Sequence, residues 1–122
     1  MLSAIKQIGV VVADLERSKA FYGNQLGLKQ VLDIPGQMSF YDLAGIWLML
    51  TKEGDEGRAQ PGSVLYFEVT DIRAAHAKLR ERGVKFIDEP HRIADMGSYE
   101  LWMSFFRDPD ETILAIREEV AK

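Results

Sequence analysis

The chain lacks cysteine altogether and contains only two histidines and four prolines among its 122 residues. The absence of cysteine excludes disulfide bonds, thiolate nucleophiles and zinc sites built on thiolates. The chain also lacks an apolar run of the roughly 20 residues that a membrane-spanning helix needs. No apolar segment typical of a signal peptide stands near the N-terminus. We therefore expect a cytoplasmic protein without a membrane partner.

Positive charge is scarce as well, because 15 Lys and Arg residues stand against 19 Asp and Glu residues, for a net charge of −4. No basic run is present that would contact a phosphate backbone, so nucleic acid is excluded as a partner. Hydrophobic residues make up 47% and charged residues 28% of the chain, which is typical of a globular protein. The length suffices for one sizeable core, or for two small cores that share an interface.

An internal repeat organises the chain. Residues 8–15 read IGVVVADL and residues 65–72 read LYFEVTDI, so each segment is an apolar strand followed by an aspartate, Asp14 or Asp71. A short carboxylate at this place accepts hydrogen bonds from the first turn of a helix. Apolar spacing after each aspartate, and a glycine suited to a left-handed cap at its end, predict two helices. The predicted helices are Leu15–Leu26, before Gly27, and Ile72–Arg82, before Gly83.

Each predicted helix is followed by segments with the composition of β-strands. A coincidence between two amphipathic units is the alternative, but strand, cap, helix and glycine recur in the same order, which favours a duplication. The predicted fold class is α+β, a single domain over residues 1–122 made of two βαβββ modules, 1–53 and 62–122, joined by the polar loop Lys52–Gly62. The predicted strands are Leu28–Ile34, Met38–Leu43, Ile46–Thr51, Val84–Ile87 with a continuation after Pro90, Ser98–Phe106 and Thr112–Arg117.

Two segments resemble a known superfamily. Residues 12–29, VADLERSKAFYGNQLGLK, and residues 105–116, FFRDPDETILAI, are similar to the opening and closing motifs of the vicinal oxygen chelate superfamily. Its members include glyoxalase I, bleomycin-resistance proteins and extradiol dioxygenases. The resemblance covers almost the whole chain. It implies a U-shaped, partly open mixed sheet with helices outside and a cavity inside, and it implies a homodimer.

The resemblance also implies four metal-ligand positions, two in each module, and in this chain they hold Gln7, Met49, Val64 and Ala115. Divalent ions prefer carboxylate oxygen or imidazole nitrogen, whereas valine and alanine have no donor and methionine sulfur is soft and uncharged. One neutral amide cannot offset the dehydration of a divalent ion. We therefore expect no metal at this place and no cofactor.

Period-2 alternation of the strands predicts an aromatic, methionine-rich wall on the side that would face a ligand. Apolar area there would supply affinity and a few polar groups would set orientation, although an apolar strand face is more often simply core. The alternative is therefore that these side chains fill the interior. The predicted ligand-binding residues are Gln7, Trp47, Met49, Tyr66, Glu68, His91, Met103, Phe105 and Arg117.

Three titratable side chains have open interpretations. His76 lies within the second predicted helix, where packing explains it. His91 lies in the loop-like segment after Pro90, where it would serve as a proton shuttle or as a ligand contact. Glu68 is either a buried carboxylate with a raised pKa or a solvated carboxylate paired with Arg117.

The leading hypothesis is a metal-free binding protein of the glyoxalase and bleomycin-resistance type that encloses a small apolar or aromatic molecule. The alternative is a lyase, isomerase or dioxygenase of the same superfamily. Such an enzyme would use an unusual metal set, such as His91 with Glu68 or Glu89, or acid–base groups without a metal. The sequence leaves open whether the protein is an enzyme.

Overall fold

A computed structural model describes residues 1–52 and 64–122. The chain divides into two compact units, Met1–Pro61 and Gly62–Lys122. Most of the predicted polar loop, from residue 53 to residue 62, lies outside the described residues. No helix in the described ranges is both long enough and apolar enough to span a membrane.

The first unit is a four-stranded mixed sheet with one helical segment. Its strands follow the order β1-β4-β3-β2; β1 and β4 are parallel, and the other pairs are antiparallel. The elements are β1 (Gln7–Val12), α1 (Leu15–Lys19) with a π-helical continuation (Ala20–Gln25), β2 (Lys29–Ile34), β3 (Met38–Leu43) and β4 (Ile46–Lys52).

The second unit repeats this topology with five strands. Its order is β5-β9-β8-β6, and β7 also pairs with β8. Again the first and last strands of the unit are parallel, and the other pairs are antiparallel. The predicted α+β fold class is therefore confirmed. The elements are β5 (Leu65–Glu68), α2 (Ile72–Glu81), β6 (Lys85–Phe86), β7 (His91–Asp95), β8 (Tyr99–Arg107) and β9 (Ile113–Ala121).

The helix boundaries follow the predicted capping residues. Oδ1 of Asp14 accepts a hydrogen bond from the backbone N–H of Arg17 at 3.0 Å, and Oδ1 of Asp71 accepts one from Ala74 at 3.1 Å. Gly27, with a φ of 77°, takes the left-handed conformation that ends the first helical segment. Both predicted N-terminal caps are confirmed.

Three details differ from the predicted elements. The first helix is not α-helical throughout, because it widens at Ala20–Gln25, where the N–H of Leu26 donates to the carbonyl of Phe21 five residues earlier. The strand predicted at Val84–Ile87 shortens to two residues and resumes as β7. β7 begins at His91, so the expected loop position of this histidine is wrong.

The core of each unit lies between its helix and one face of its sheet. In the first unit, Tyr22 of the helical segment and Leu48 and Leu50 of β4 are buried. In the second unit, His76 of α2 packs against Phe86 at a ring distance of 4.2 Å, and Phe86 packs against Phe106 at 5.1 Å. Alternate residues of the same strands therefore point to the opposite face, away from the helix.

The turn between β8 and β9 is held by one buried carboxylate. Oδ1 of Asp108 accepts hydrogen bonds from the backbone N–H groups of Asp110 and Thr112, both at 2.9 Å. These bonds satisfy donors that the chain reversal leaves unpaired. The Asp-Pro-Asp segment thus has a structural role in the turn.

Candidate functional site

The predicted ligand-binding residues of the second unit lie on the sheet face that points away from α2. The helix side of β8 is marked by Trp102, whose ring lies 5.3 Å from the guanidinium carbon of Arg73 in α2, and by buried Phe106. Because side chains alternate along a strand, Met103 and Phe105 point to the other side. We call this side of the second unit the open face.

Register across four strands places these residues in two adjacent rows on the open face. Residues directly opposite each other on neighbouring strands project to the same side of the sheet. The apolar row consists of Tyr66, Ala115 and Phe105, and the polar row consists of Glu68, Arg117, Met103 and His91. Residues from four strands thus form a continuous surface, although they span more than fifty positions of sequence.

The apolar row presents aromatic surface to solvent. The rings of Tyr66 and Phe105 meet edge to face, with centroids 6.3 Å apart. Ala115 between them is buried and contributes no side chain that would separate the two rings. Tyr66 is 51% exposed, so about half of its surface is accessible to a ligand.

The polar row begins with a set of paired charges. Arg117 donates to Oε2 of Glu119 at 3.2 Å, and another nitrogen of the guanidinium lies 4.0 Å from Oε1 of Glu68. The Glu68 side chain is 76% exposed. The structure therefore favours the solvated carboxylate paired with Arg117 over the buried carboxylate.

His91 closes the other end of the polar row, opposite Met103. Its Nδ1 lies 2.8 Å from the backbone oxygen of Glu89 and 3.9 Å from Oδ2 of Asp88. The side chain is 48% exposed. A strand and one hydrogen-bonding neighbour, the carbonyl of Glu89, rather than a loop, therefore set the position of this ring.

The first unit carries the remaining predicted residues on the corresponding face of its sheet, away from its helix. Gln7 of β1 is opposite Trp47 of β4, and Met49 of β4 is opposite Phe40 of β3. The amide nitrogen of Gln7 donates to Sδ of Met49 at 3.6 Å, and the rings of Phe40 and Trp47 are 5.5 Å apart. This face is apolar and aromatic, with Gln7 as a neutral polar group at its edge.

Sequence reasoning missed two residues that shape these faces. Phe40 was not among the predicted residues because β3 was left out of the lining, although its period-2 pattern places Met38, Phe40 and Asp42 on one side. Asp88 was missed because its carboxylate acts on the backbone: its Oδ1 accepts from the N–H of Phe105 at 2.9 Å. No sequence pattern predicts a contact between a side-chain carboxylate and a backbone N–H group of a distant strand.

A separate hollow lies on the helix side of the second unit. It has a volume of about 250 Å³, and Nε2 of His76 at its wall lies 3.1 Å from Oε2 of Glu89 without the angle of a hydrogen bond. The packing expected for His76 is confirmed, since the residue is buried against Phe86. The hollow contains none of the predicted ligand-binding residues; it is lined by His76, Arg80, Phe86, Ile87, Asp88 and Glu89.

The donor set at the expected metal positions does not fit a divalent ion. In the first unit, the amide N–H of Gln7 points toward Met49. An N–H group donates a hydrogen bond and cannot serve as a metal ligand. In the second unit, Val64 precedes β5 and Ala115 is buried in β9, and neither side chain has a lone pair. Within residues 1–52 and 64–122, no three His, Cys, Asp or Glu side chains are grouped as they would be around a metal.

Comparisons with known proteins agree with this architecture. The family model described as Glyoxalase/Bleomycin resistance protein/Dioxygenase superfamily matches residues 4–116. A relative from Bacillus subtilis (strain 168), described as "Uncharacterized protein YraH", is 29% identical over 123 residues, which cover 90% of this chain and 94% of that protein.

Solved structures show the same fold. A member of the glyoxalase/bleomycin resistance protein/dioxygenase superfamily from Sphaerobacter thermophilus has a TM-score of 0.77 and 26% identity, covering 97% of this chain and 98% of the other. A lactoylglutathione lyase from Agrobacterium tumefaciens has a TM-score of 0.78 and 21% identity, covering 96% and 94% of the two chains. The second likeness is one of fold alone.

Proposed function

The chain belongs to the Glyoxalase/Bleomycin resistance protein/Dioxygenase superfamily, and we propose that it is a metal-free member that binds a small apolar or aromatic molecule. In the proposal each unit offers a binding surface of its own, which is the open face in the second unit and the corresponding face in the first. Of the four positions where the resemblance implies metal ligands, Val64 and Ala115 have no donor atom, Met49 has a soft sulfur and Gln7 has a neutral amide.

The observation that carries the proposal is the exposure of aromatic side chains on these faces. Trp47 is 38% exposed and Tyr66 51% exposed, and each contacts a second ring, Phe40 or Phe105. Exposed aromatic surface of this kind gains about 25 cal/mol for each Å² that a ligand removes from water. Ring pairs set edge to face also leave flat surface against which an aromatic ligand stacks.

Polar groups around the rings would orient the ligand. Gln7 lies at the edge of the first face, and Arg117, Glu68 and His91 lie in the polar row of the second. Their small number beside several apolar groups is typical of sites in which apolar area supplies affinity and polar groups supply orientation. Met49 and Met103 add polarizable surface that adapts to the shape of a ligand.

The test is a binding screen on the purified protein with its native metal content. A panel of aromatic and antibiotic compounds is measured by thermal shift, and hits are measured again by isothermal titration calorimetry. We expect at least one aromatic compound to raise the melting temperature in a dose-dependent manner, because a ligand that binds only the folded state stabilises it. Elemental analysis of the same sample is expected to find no stoichiometric metal.

Two results would contradict the proposal. One is the absence of any stabilising compound while the protein is demonstrably folded. The other is a stoichiometric divalent ion that survives dialysis, or stabilisation by added zinc, nickel, manganese or iron, which would favour the metal-dependent lyases, isomerases and dioxygenases of the superfamily.

A single domain built from both modules, a homodimeric state and a cytoplasmic location complete the proposal. The homodimer follows from the family resemblance, and the cytoplasmic location accords with a chain that has no cysteine to oxidise. Size-exclusion chromatography with light scattering checks the homodimer, and cell fractionation checks the cytoplasmic location.

A further inference from the structure

We infer that His91 presents an unprotonated Nε2 to the open face, so that the ligand of this site carries a hydroxyl or N–H group that donates to it. The ligand part of this inference rests on the proposed function. The part that concerns the imidazole rests on the geometry of the second unit alone.

The neighbours of Nδ1 decide which ring nitrogen carries the proton. Nδ1 of His91 lies 2.8 Å from the backbone oxygen of Glu89, and the next oxygen, Oδ2 of Asp88, is 3.9 Å away. A carbonyl oxygen only accepts hydrogen bonds, so Nδ1 must be the donor. In a neutral imidazole the proton on Nδ1 leaves Nε2 with a free lone pair.

The segment that carries His91 is fixed to the sheet. Oδ1 of Asp88 accepts from the backbone N–H of Phe105 at 2.9 Å, and its backbone oxygen accepts from Oγ of Ser104 at 2.9 Å. Pro90 between this anchor and His91 is buried and restricts the backbone. The carbonyl of Glu89 is therefore held in place, and the tautomer of His91 is held with it.

The neighbour of Nε2 in the polar row offers it no hydrogen-bond donor. Its directly opposed neighbour in the polar row is Met103, whose thioether has no hydrogen to donate. Among the residues that the structure describes, none forms a hydrogen bond with Nε2 of His91. A ligand lying over Phe105 and Met103 would reach this lone pair. A hydrogen-bond donor on the ligand would therefore pair with Nε2.

The tautomer is tested by nitrogen-15 NMR of the ligand-free protein at about pH 8, where imidazoles are mostly neutral. We expect the spectrum of His91 to be that of the Nδ1–H form. His76, the second histidine of the chain, gives the other imidazole signal with which the spectrum of His91 is compared. An Nε2–H form at His91 would overturn the inference.

The ligand requirement is tested with two probes, 2-naphthol and 2-methoxynaphthalene, measured by titration calorimetry. They share one aromatic ring system, but only the naphthol has a hydrogen to donate. We expect the wild type to prefer the naphthol by about fivefold, the magnitude of one neutral hydrogen bond. Comparing this ratio between variants removes the difference in hydrophobicity between the probes.

Two substitutions separate the two ring nitrogens. In His91→Asn the amide nitrogen still reaches the Glu89 carbonyl, but no acceptor remains near the position of Nε2, so the preference for the naphthol should vanish. In His91→Gln an amide oxygen reaches about as far as Nε2, so part of the preference should remain. A ratio of the two affinities that is the same in the wild type and in His91→Asn, with both probes bound, would overturn the inference and leave the proposed function standing. If neither probe binds, the proposed function fails together with the ligand part of the inference.

Discussion

The two units share one topology and differ in the chemistry of the faces that point away from their helices. The first unit offers Trp47, Met49 and Phe40, with Gln7 as a neutral polar group. The second offers one apolar row and a polar row that contains charged groups and an imidazole. The sides of the two sheets that pack against their helices are therefore alike in being buried, whereas the other sides differ in chemistry.

The difference has a physical cause. The helix side of each sheet is buried, and close packing there tolerates few substitutions. The other side contains half-exposed side chains such as Trp47 and Tyr66, where a polar or charged replacement costs little stability. We infer that binding at the face of the first unit depends on apolar contact, and that the open face of the second unit adds groups that orient a ligand.

The largest effect is expected when the two sides of strand β8 are compared. Phe105 and Phe106 are neighbours in this strand and point in opposite directions. Phe106→Ala should lower the free energy of unfolding by about 3 to 5 kcal/mol, since it empties a fully buried site against Phe86. Phe105→Ala should cost clearly less stability and weaken ligand binding. Urea unfolding and titration calorimetry measure the two effects. Equal loss of stability in both variants would mean that both faces are core.

The next effect tests the apolar contact assigned to the first unit. Trp47→Ala should weaken by about tenfold the binding of an aromatic compound to the face of the first unit, because it removes an aromatic ring from that proposed surface. Ile46→Ala is the matched control, since the two residues are 38% and 37% exposed but project to opposite sides of β4. Calorimetric titration should find the control within about twofold of the wild type. Similar losses in both variants would show that strand β4 has been disturbed as a whole.

A smaller effect compares the two helix N-termini. Replacing either capping aspartate by alanine should lower the free energy of unfolding by about 1 kcal/mol. Asp14→Ala should be the more costly of the two, because α2 retains a second carboxylate: Oε1 of Glu118 accepts from the N–H of Ile72 at 2.8 Å. Asp14→Asn and Asp71→Asn are the controls, since asparagine also caps helices. The order of the two alanine variants in chemical denaturation decides the comparison.

The smallest effects concern two ion pairs, one in each unit. The Asp33 carboxylate, 2.9 Å from Nζ of Lys19, raises the pKa of Lys19 above its ordinary value of 10.5, although desolvation opposes it. The stabilisation is therefore complete below pH 10.5 and is lost as the pH rises through the higher pKa of the folded state. Asp33→Asn should cost about 0.5 kcal/mol at neutral pH, and this cost should disappear in alkali.

The pair in the second unit has the opposite pH dependence. The hydrogen bond from Lys122 and the N–H of Gly97 lower the pKa of Asp95 below its ordinary value of 3.8. Its stabilisation is present above that value and is lost as the pH falls through the lower pKa of the folded state. The cost of Lys122→Ala should therefore vanish in acid. Free energies of unfolding measured against pH at low salt would refute both assignments if neither variant shows such a dependence.

Much of the fold was predictable because its signals are local. The carboxylates of Asp14 and Asp71 cap helices that begin within one residue of them, and strand Met38–Leu43 was predicted with its observed bounds. Periodicity failed where geometry departs from a regular helix or strand. The π-helical turn at Ala20–Gln25 is one such case, and the extension of the last strand to Ala121 is another.

The candidate site was predictable in composition but not in arrangement. Alternation along single strands placed Tyr66 with Glu68 and Met103 with Phe105. It gave no means of deciding whether Glu68 is solvated, since the answer depends on Arg117 from a strand almost fifty residues away. The role of Asp88 was equally hidden, because its partner is the backbone N–H of Phe105.

By itself the sequence determined the secondary elements, their caps and the side of each strand that is apolar, because each of these depends on neighbours within a few residues. Tertiary structure alone decided that Glu68, Arg117, Met103 and His91 stand in one row, and that Nδ1 of His91 meets a carbonyl. Register between strands far apart in sequence is fixed by how the whole sheet packs against its helix, and no single segment carries that information.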